Sequence, residues 1–163
     1  MKVIKDLRIV EDGWILLREV PESGALPPGD IIVPFPFWSE RRGALPVRPA
    51  GRLGVLLGCE DPLEELVPFL AGIPLLALLF EKFTDGRCYS IARLLRDRHG
   101  YRGELRAVGD VLRDQLFFMQ RCGINSFQLR EDLDLEDALQ AFQEVTVKYQ
   151  ASSDGAPPLY RYR

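Results

Sequence analysis

Residues 80–90 read Phe80-Glu81-Lys82-Phe83-Thr84-Asp85-Gly86-Arg87-Cys88-Tyr89-Ser90, and residues 105–116 read Leu105-Arg106-Ala107-Val108-Gly109-Asp110-Val111-Leu112-Arg113-Asp114-Gln115-Leu116. In each, an apolar run hands over through glycine and polar residues to a segment with helical spacing, the pattern of a strand that feeds a helix. Working outward, the same unit recurs. Residues 53–57 are an apolar strand followed by Asp61-Pro62-Leu63-Glu64, which supplies an N-cap, a proline at the first helical position and an acid in the first turn. Leu63, Leu66, Val67 and Leu70 then lie on one face, Pro68 shortens or kinks that helix, and Gly72 suits its end. Residues 75–80 give the second strand, with Ile91, Leu94 and Leu95 on the next helix. Residues 105–108 give the third, followed by a helix over 111–122 that ends at Gly123. Residues 126–130 give the fourth, and Leu135, Ala138, Leu139, Phe142 and Val145 form a last helical face behind Asp134 as N-cap. Four consecutive βα units predict parallel strands joined by right-handed crossovers. The fold class is α/β, with either a half-barrel-like or an open sheet.

An N-terminal β-hairpin is expected to precede this repeat. Residues 7–10 and 14–20 are strand-like and flank Glu11-Asp12-Gly13, and Asp-Gly is a strong hairpin-turn signal. Ile31-Ile32-Val33 reads as a third short strand stopped by Pro34 and Pro36. The expected organisation is one domain: residues 1–38 carry the hairpin and strand, 39–51 connect, 52–149 form the βα core, and 150–163 form a flexible tail.

Composition narrows the function. The chain of 163 residues has 21 Lys and Arg against 24 Asp and Glu, a net charge of -3. Its arginines are interleaved with acids, which argues against nucleic-acid binding. The longest apolar run, 73–80, is too short to span a bilayer, and no secretory signal pattern opens the sequence, so a cytoplasmic location without membrane association is expected. Three cysteines, Cys59, Cys88 and Cys122, are widely spaced and lack a Cys-x-x-Cys pattern. They read as reduced thiols, with neither a disulfide framework nor a metal site.

Ligands of parallel α/β folds collect where strands end and helices begin. The best-equipped such loop offers Lys82, Asp85, Arg87, Tyr89 and Ser90 as a cradle for an anion. Asp85 and Ser90 have an equally simple reading as turn and cap residues. Arg106 lies inside a buried strand, on the same side as Glu104 and Asp110, and requires a carboxylate. Asp85, Glu104 and Asp110 are the candidates. Arg106 is therefore either a structural ion-pair member or a fork aimed at an oxyanion. Asp110 is the simplest N-cap of the next helix, and Arg113 near that helix's positive end favours an anionic partner.

The blocks Phe83-Thr84-Asp85-Gly86-Arg87, Tyr89-Ser90, Gly103-Glu104-Leu105-Arg106-Ala107-Val108-Gly109-Asp110 and Arg121-Cys122-Gly123 resemble the bacterial domain-of-unknown-function family 934. The resemblance extends to Ile32-Val33-Pro34 and Gly51-Arg52-Leu53-Gly54-Val55. The chain departs from the family pattern at Cys88, where a small residue is usual, and at Glu81, where proline is common. The resemblance implies an oxidoreductase, or an accessory protein of assimilatory sulfite reduction that binds a small oxyanion or docks to sulfite reductase or its electron donor. The alternative is a stand-alone enzyme with Arg87 and Arg106 as electrostatic stabilisers and Asp85 or Asp110 as general base. A structural homodimer is a third expectation. No cofactor is specified by any motif.

Overall fold

The computed structural model describes residues 1–20, 25–42, 51–82, 84–144 and 152–153. Its eight strands are β1 (Lys2–Lys5), β2 (Arg8–Glu11), β3 (Ile15–Leu16), β4 (Ile31–Pro34), β5 (Leu53–Leu57), β6 (Leu75–Phe80), β7 (Glu104–Gly109) and β8 (Ser126–Phe127). The helices are α1 (Phe35–Arg41), α2 (Leu63–Leu66), α3 (Arg87–Arg93), α4 (Leu116–Arg121) and α5 (Leu135–Gln140). One sheet holds all eight strands in the order β2-β1-β8-β7-β6-β5-β4-β3. From β3 to β8 every neighbouring pair is parallel, while β1 is antiparallel to both β8 and β2. The result is a mixed α/β fold with a curled, open half-barrel sheet.

The curl follows from the connection between β2 and β3. These strands lie at opposite edges of the sheet, yet only Asp12, Gly13 and Trp14 separate them. Four residue steps of extended chain reach about 14 Å at most, so the two edges approach one another where this segment crosses. The crossing covers the concave face, where Trp14 packs in an apolar cluster with Ile32, Leu56, Leu75, Ala77 and Val108. The opposite face carries the larger core. Val33, Val55, Leu57, Leu76, Leu78, Leu105, Ala107 and Phe127 pack there with helix residues that include Leu66, Ala92, Leu95, Leu116, Met119 and Ala138. A strand's period of two thus serves two different apolar environments, which explains why β5 and β6 are apolar almost throughout.

Strands β5 and β6 occupy the residues expected of them, and Asp134 caps α5 by accepting hydrogen bonds from the backbone N–H groups of Glu136 and Asp137. Pro68 has its expected effect: helix geometry tightens to a 3₁₀ form over Val67–Gly72. Helix α3 instead widens into π-type turns over Leu94–Arg98.

Several expectations are corrected. The hairpin lies one strand earlier, between β1 and β2, and Lys5 pairs with Arg8 across a two-residue turn. Its turn residues, Asp6 and Leu7, have φ of 47° and 61°, the left-handed backbone that a tight hairpin demands. The Asp12-Gly13 pair is released from turn duty because the Asp12 carboxylate is drawn to Arg106. Residues 35–41, which the expected organisation divides between the N-terminal β piece and the connection, form α1 directly after β4. The fourth expected strand shortens to Ser126–Phe127. Asp61 does not cap α2; its carboxylate accepts from the Gly58 N–H at 2.7 Å and closes the loop after β5. Residues 43–50 of the expected connection, Val145 on the last helical face and all but 152–153 of the expected tail lie outside the described residues.

Candidate functional site

The parallel strands end on one rim, and two adjoining cavities open there. The first, about 370 Å³, is lined by Pro34, Phe35, Leu56, Gly58, Cys59, Asp61, Leu79, Glu81, Asp85, Arg87 and Arg18. The second, about 410 Å³, is lined by Phe80, Gly109, Asp110 and Arg130, and shares Arg18, Leu79 and Glu81 with the first. Gly109 has φ of +99°, and a Cβ there would strike the Phe80 carbonyl oxygen. Glycine at this strand end lets the Asp110 N–H donate to that same oxygen at 2.7 Å. The glycine of the handover is thus explained by close backbone approach.

Asp85 and Arg87 do share the first cavity. Arg87 Nε and Nη2 donate to the two Asp85 carboxylate oxygens at 3.0 and 2.7 Å, and its Nη1 donates to Glu60 at 3.1 Å. These bonds, with the Arg87 backbone N–H, hold the Asp85 carboxyl down at about 2. They also raise the Arg87 guanidinium above its already high value. In the same cavity burial pushes the Asp61 carboxyl up, opposed by the Gly58 N–H. Asp110 lies in the adjoining cavity, where Arg130 reaches it at 3.4 Å while also gripping Asp132 at 2.8 Å.

The remaining expected residues do not converge there. Arg106 is fully buried, with Nη2 donating to Glu104 at 2.6 Å and Nη1 and Nη2 donating to Asp12 at 2.8 Å each. Of its three candidate partners Glu104 is the one used, and Asp12 is a partner that local spacing could not show. Its fork is consumed inside the protein, so Arg87, Arg106 and Asp110 do not share one pocket. Arg113 pairs with Asp137 and Glu144 at 2.7 and 2.6 Å, which answers the unfavourable placement of a cation near a helix start. Tyr89 is half-buried, its ring 5.2 Å from both Phe80 and Phe118, and burial raises its phenol. Lys82 and Ser90 are exposed on the loop and the first turn of α3.

Sequence reasoning missed two features. Arg18, two residues past β3, joins both cavities and has no ion-pair partner among the described residues. Cys59 and Cys88 are joined by a disulfide with Cα atoms 5.4 Å apart, which corrects the expectation of three reduced thiols. Sequence spacing of 29 concealed this pair. The available signal was that each cysteine follows one of two neighbouring parallel strands.

Fold and rim define a curled α/β protein with a polar mouth at its strand ends. Residues 54–160 match the model of DUF934, a family of bacterial proteins of unknown function, and the chain belongs to that family. No curated protein and no solved structure matches the chain significantly. Among the described residues no helix is long and apolar enough to cross a membrane.

Proposed function

We propose that this chain is a cytoplasmic accessory protein of assimilatory sulfite reduction that docks to sulfite reductase or its electron donor through the rim described above. The observation that carries this reading is the charge pattern of the rim. Arg87 and Arg130 are each held by two carboxylates, leaving Arg18 as a cation with no ion-pair partner among the described residues, between cavities that also contain Asp61, Glu81, Asp85 and Asp110. A mosaic with more acids than bases suits a protein surface of complementary charges better than a free dianion. A small oxyanion would meet Arg18 as its principal contact.

The stand-alone enzyme reading draws less support. A carboxyl held at about 2 is a weak acceptor of protons near neutrality, which counts against Asp85 as general base. Asp110 is engaged by Arg130.

Titration calorimetry with the cognate sulfite reductase, and separately with sodium sulfite, tests the proposal. The reductase is expected to bind the wild-type chain, and Arg18→Glu is expected to weaken that association at least tenfold with an unchanged circular dichroism spectrum. Absence of association together with unchanged reductase turnover overturns it.

A further inference from the structure

Cys59 sits in the loop after β5, and Cys88 in the first turn of α3, which follows β6. Because β5 and β6 are hydrogen-bonded neighbours, with Leu57 opposite Leu78, the two loops lie side by side on the rim. The Cα separation of 5.4 Å is within the range a disulfide requires, and both sulfurs approach the carbonyl oxygen of Leu79. The two cysteines differ in access. Cys59 is half-buried and lines the first cavity beside Arg18 and Arg87, whereas Cys88 is 0% exposed. Cys122, the third cysteine, is buried and outside the pair.

One residue of the pair thus lines an open cavity while the other is enclosed. Thiol–disulfide exchange needs an attackable sulfur and a second that departs and later recloses the bond. We propose that Cys59–Cys88 is a reversible redox centre that exchanges with a protein dithiol of the thioredoxin class, with Cys59 Sγ as the atom attacked. The partner's thiolate attacks Cys59 Sγ, the S–S bond breaks, and its electron pair departs on Cys88 Sγ, which takes a proton. The partner's second thiol, on losing its proton, attacks the partner sulfur of the mixed disulfide and releases Cys59 as a thiolate that is then protonated. Two electrons and two protons pass to the cysteine pair, and the partner leaves as its disulfide. Arg18 on the cavity wall, with no ion-pair partner among the described residues, favours approach of a thiolate, whereas Arg87 is already neutralised by Asp85 and Glu60. The inference is independent of docking to sulfite reductase, since it concerns the bond at the cavity wall.

The test uses the full chain, oxidised with glutathione disulfide, then denatured and alkylated for mass spectrometry. One alkylated cysteine, Cys122, is expected, rising to three after dithiothreitol. Thioredoxin with its reductase and NADPH should open the bond in the native protein at least tenfold faster than the chain unfolds under the same conditions. A thioredoxin variant lacking its resolving cysteine should then be trapped on wild-type protein, with the linked peptide mapping to Cys59. Three alkylated cysteines in the oxidised sample, or reduction only in denaturant, overturns the proposal. Capture mapped to Cys88 overturns the assignment of the attacked sulfur. Cys59→Ser and Cys88→Ser should each abolish capture, and capture by either overturns the exchange.

Discussion

Asp12 and Arg106 are 94 residues apart in sequence and joined by two parallel hydrogen bonds of 2.8 Å each. Arg106 projects from the concave face of β7, and Asp12 lies on the segment that bridges the two edges of the sheet, so this fork fixes the curl. Arg106 also holds Glu104 at 2.6 Å, and Glu104 in turn takes the Lys5 ammonium at 2.6 Å. Removing one member of a buried pair leaves the other charged and unsolvated, a cost of roughly 3–5 kcal/mol. Asp12→Ala and Arg106→Met should each lower the urea midpoint accordingly. The double variant should lose less than the sum, with a coupling of about 0.5–3 kcal/mol. Strict additivity would show that the fork does not tie the edges together.

The same network sets an acid limit. Burial alone would raise the Glu104 carboxyl, but hydrogen bonds and charge from Lys5 and Arg106 outweigh it and hold the group below its ordinary 4.5. A depressed folded value means the unfolded chain binds the proton first on acidification. The stabilisation is therefore complete above about pH 4.5 and is lost as pH falls through the lower folded value. Chemical denaturation at stepped pH should show wild-type stability declining over that window. Glu104→Gln should be less stable at neutral pH and decline less steeply there; an unchanged slope would remove Glu104 from the acid response.

Strands β5 and β6 and the cap at Asp134 were legible because each depends on neighbours in sequence: an apolar run, a capping side chain, a period. Parity along β7 likewise put Arg106 beside Glu104. What local reading could not supply was the third dimension of the rim. Asp12-Gly13 has the composition of a turn, yet the long-range demand of Arg106 for a second carboxylate outweighs that preference, and the left-handed turn falls at Asp6-Leu7 instead. Cys59 and Cys88 are adjacent only because their strands are. Arg18 acquires meaning only once β3 is known to run parallel to β4. The candidate loop was found, and two of its residues meet in one cavity, but the residues that complete that cavity come from other strand ends.

Arg96 should prove a stability hub despite its distance from the rim. Its guanidinium donates to the carbonyls of Tyr101, Gly103 and Gly123 at 2.7, 2.9 and 2.8 Å, and to Asn125 Oδ1 at 3.1 Å, so one side chain closes the loops on both sides of β7. Truncation leaves several carbonyl groups without their charged donor, each bond worth about 1.5–3 kcal/mol before solvent and neighbours compensate. Arg96→Ala should lower stability by at least 2 kcal/mol or so. Lysine, a point charge without the planar fork, should restore only part. Thermal melts of the three proteins decide this, and equal midpoints for wild type and Arg96→Lys would deny the fork its role.

The hairpin turn carries a correctable strain. Leu7 adopts φ of 61° although its side chain is branched and apolar, and the residue is 46% exposed, so little burial compensates for the left-handed backbone. Such a conformation costs an L-residue roughly 1–2 kcal/mol that glycine avoids. Glycine also loses more chain entropy on folding, a counter-term of about 0.5–1 kcal/mol. The Asp6 turn partner already suits the left-handed region, and Asp6 N donates to the Asn125 carbonyl at 2.8 Å, an anchor that the substitution leaves in place. Leu7→Gly should therefore raise stability by up to about 1 kcal/mol. Leu7→Val, whose β-branch is poorly tolerated at positive φ, should lower it. Denaturation of the pair against wild type checks the sign, and a loss on introducing glycine would mean that the Leu7 side chain contributes more to packing than its exposure indicates.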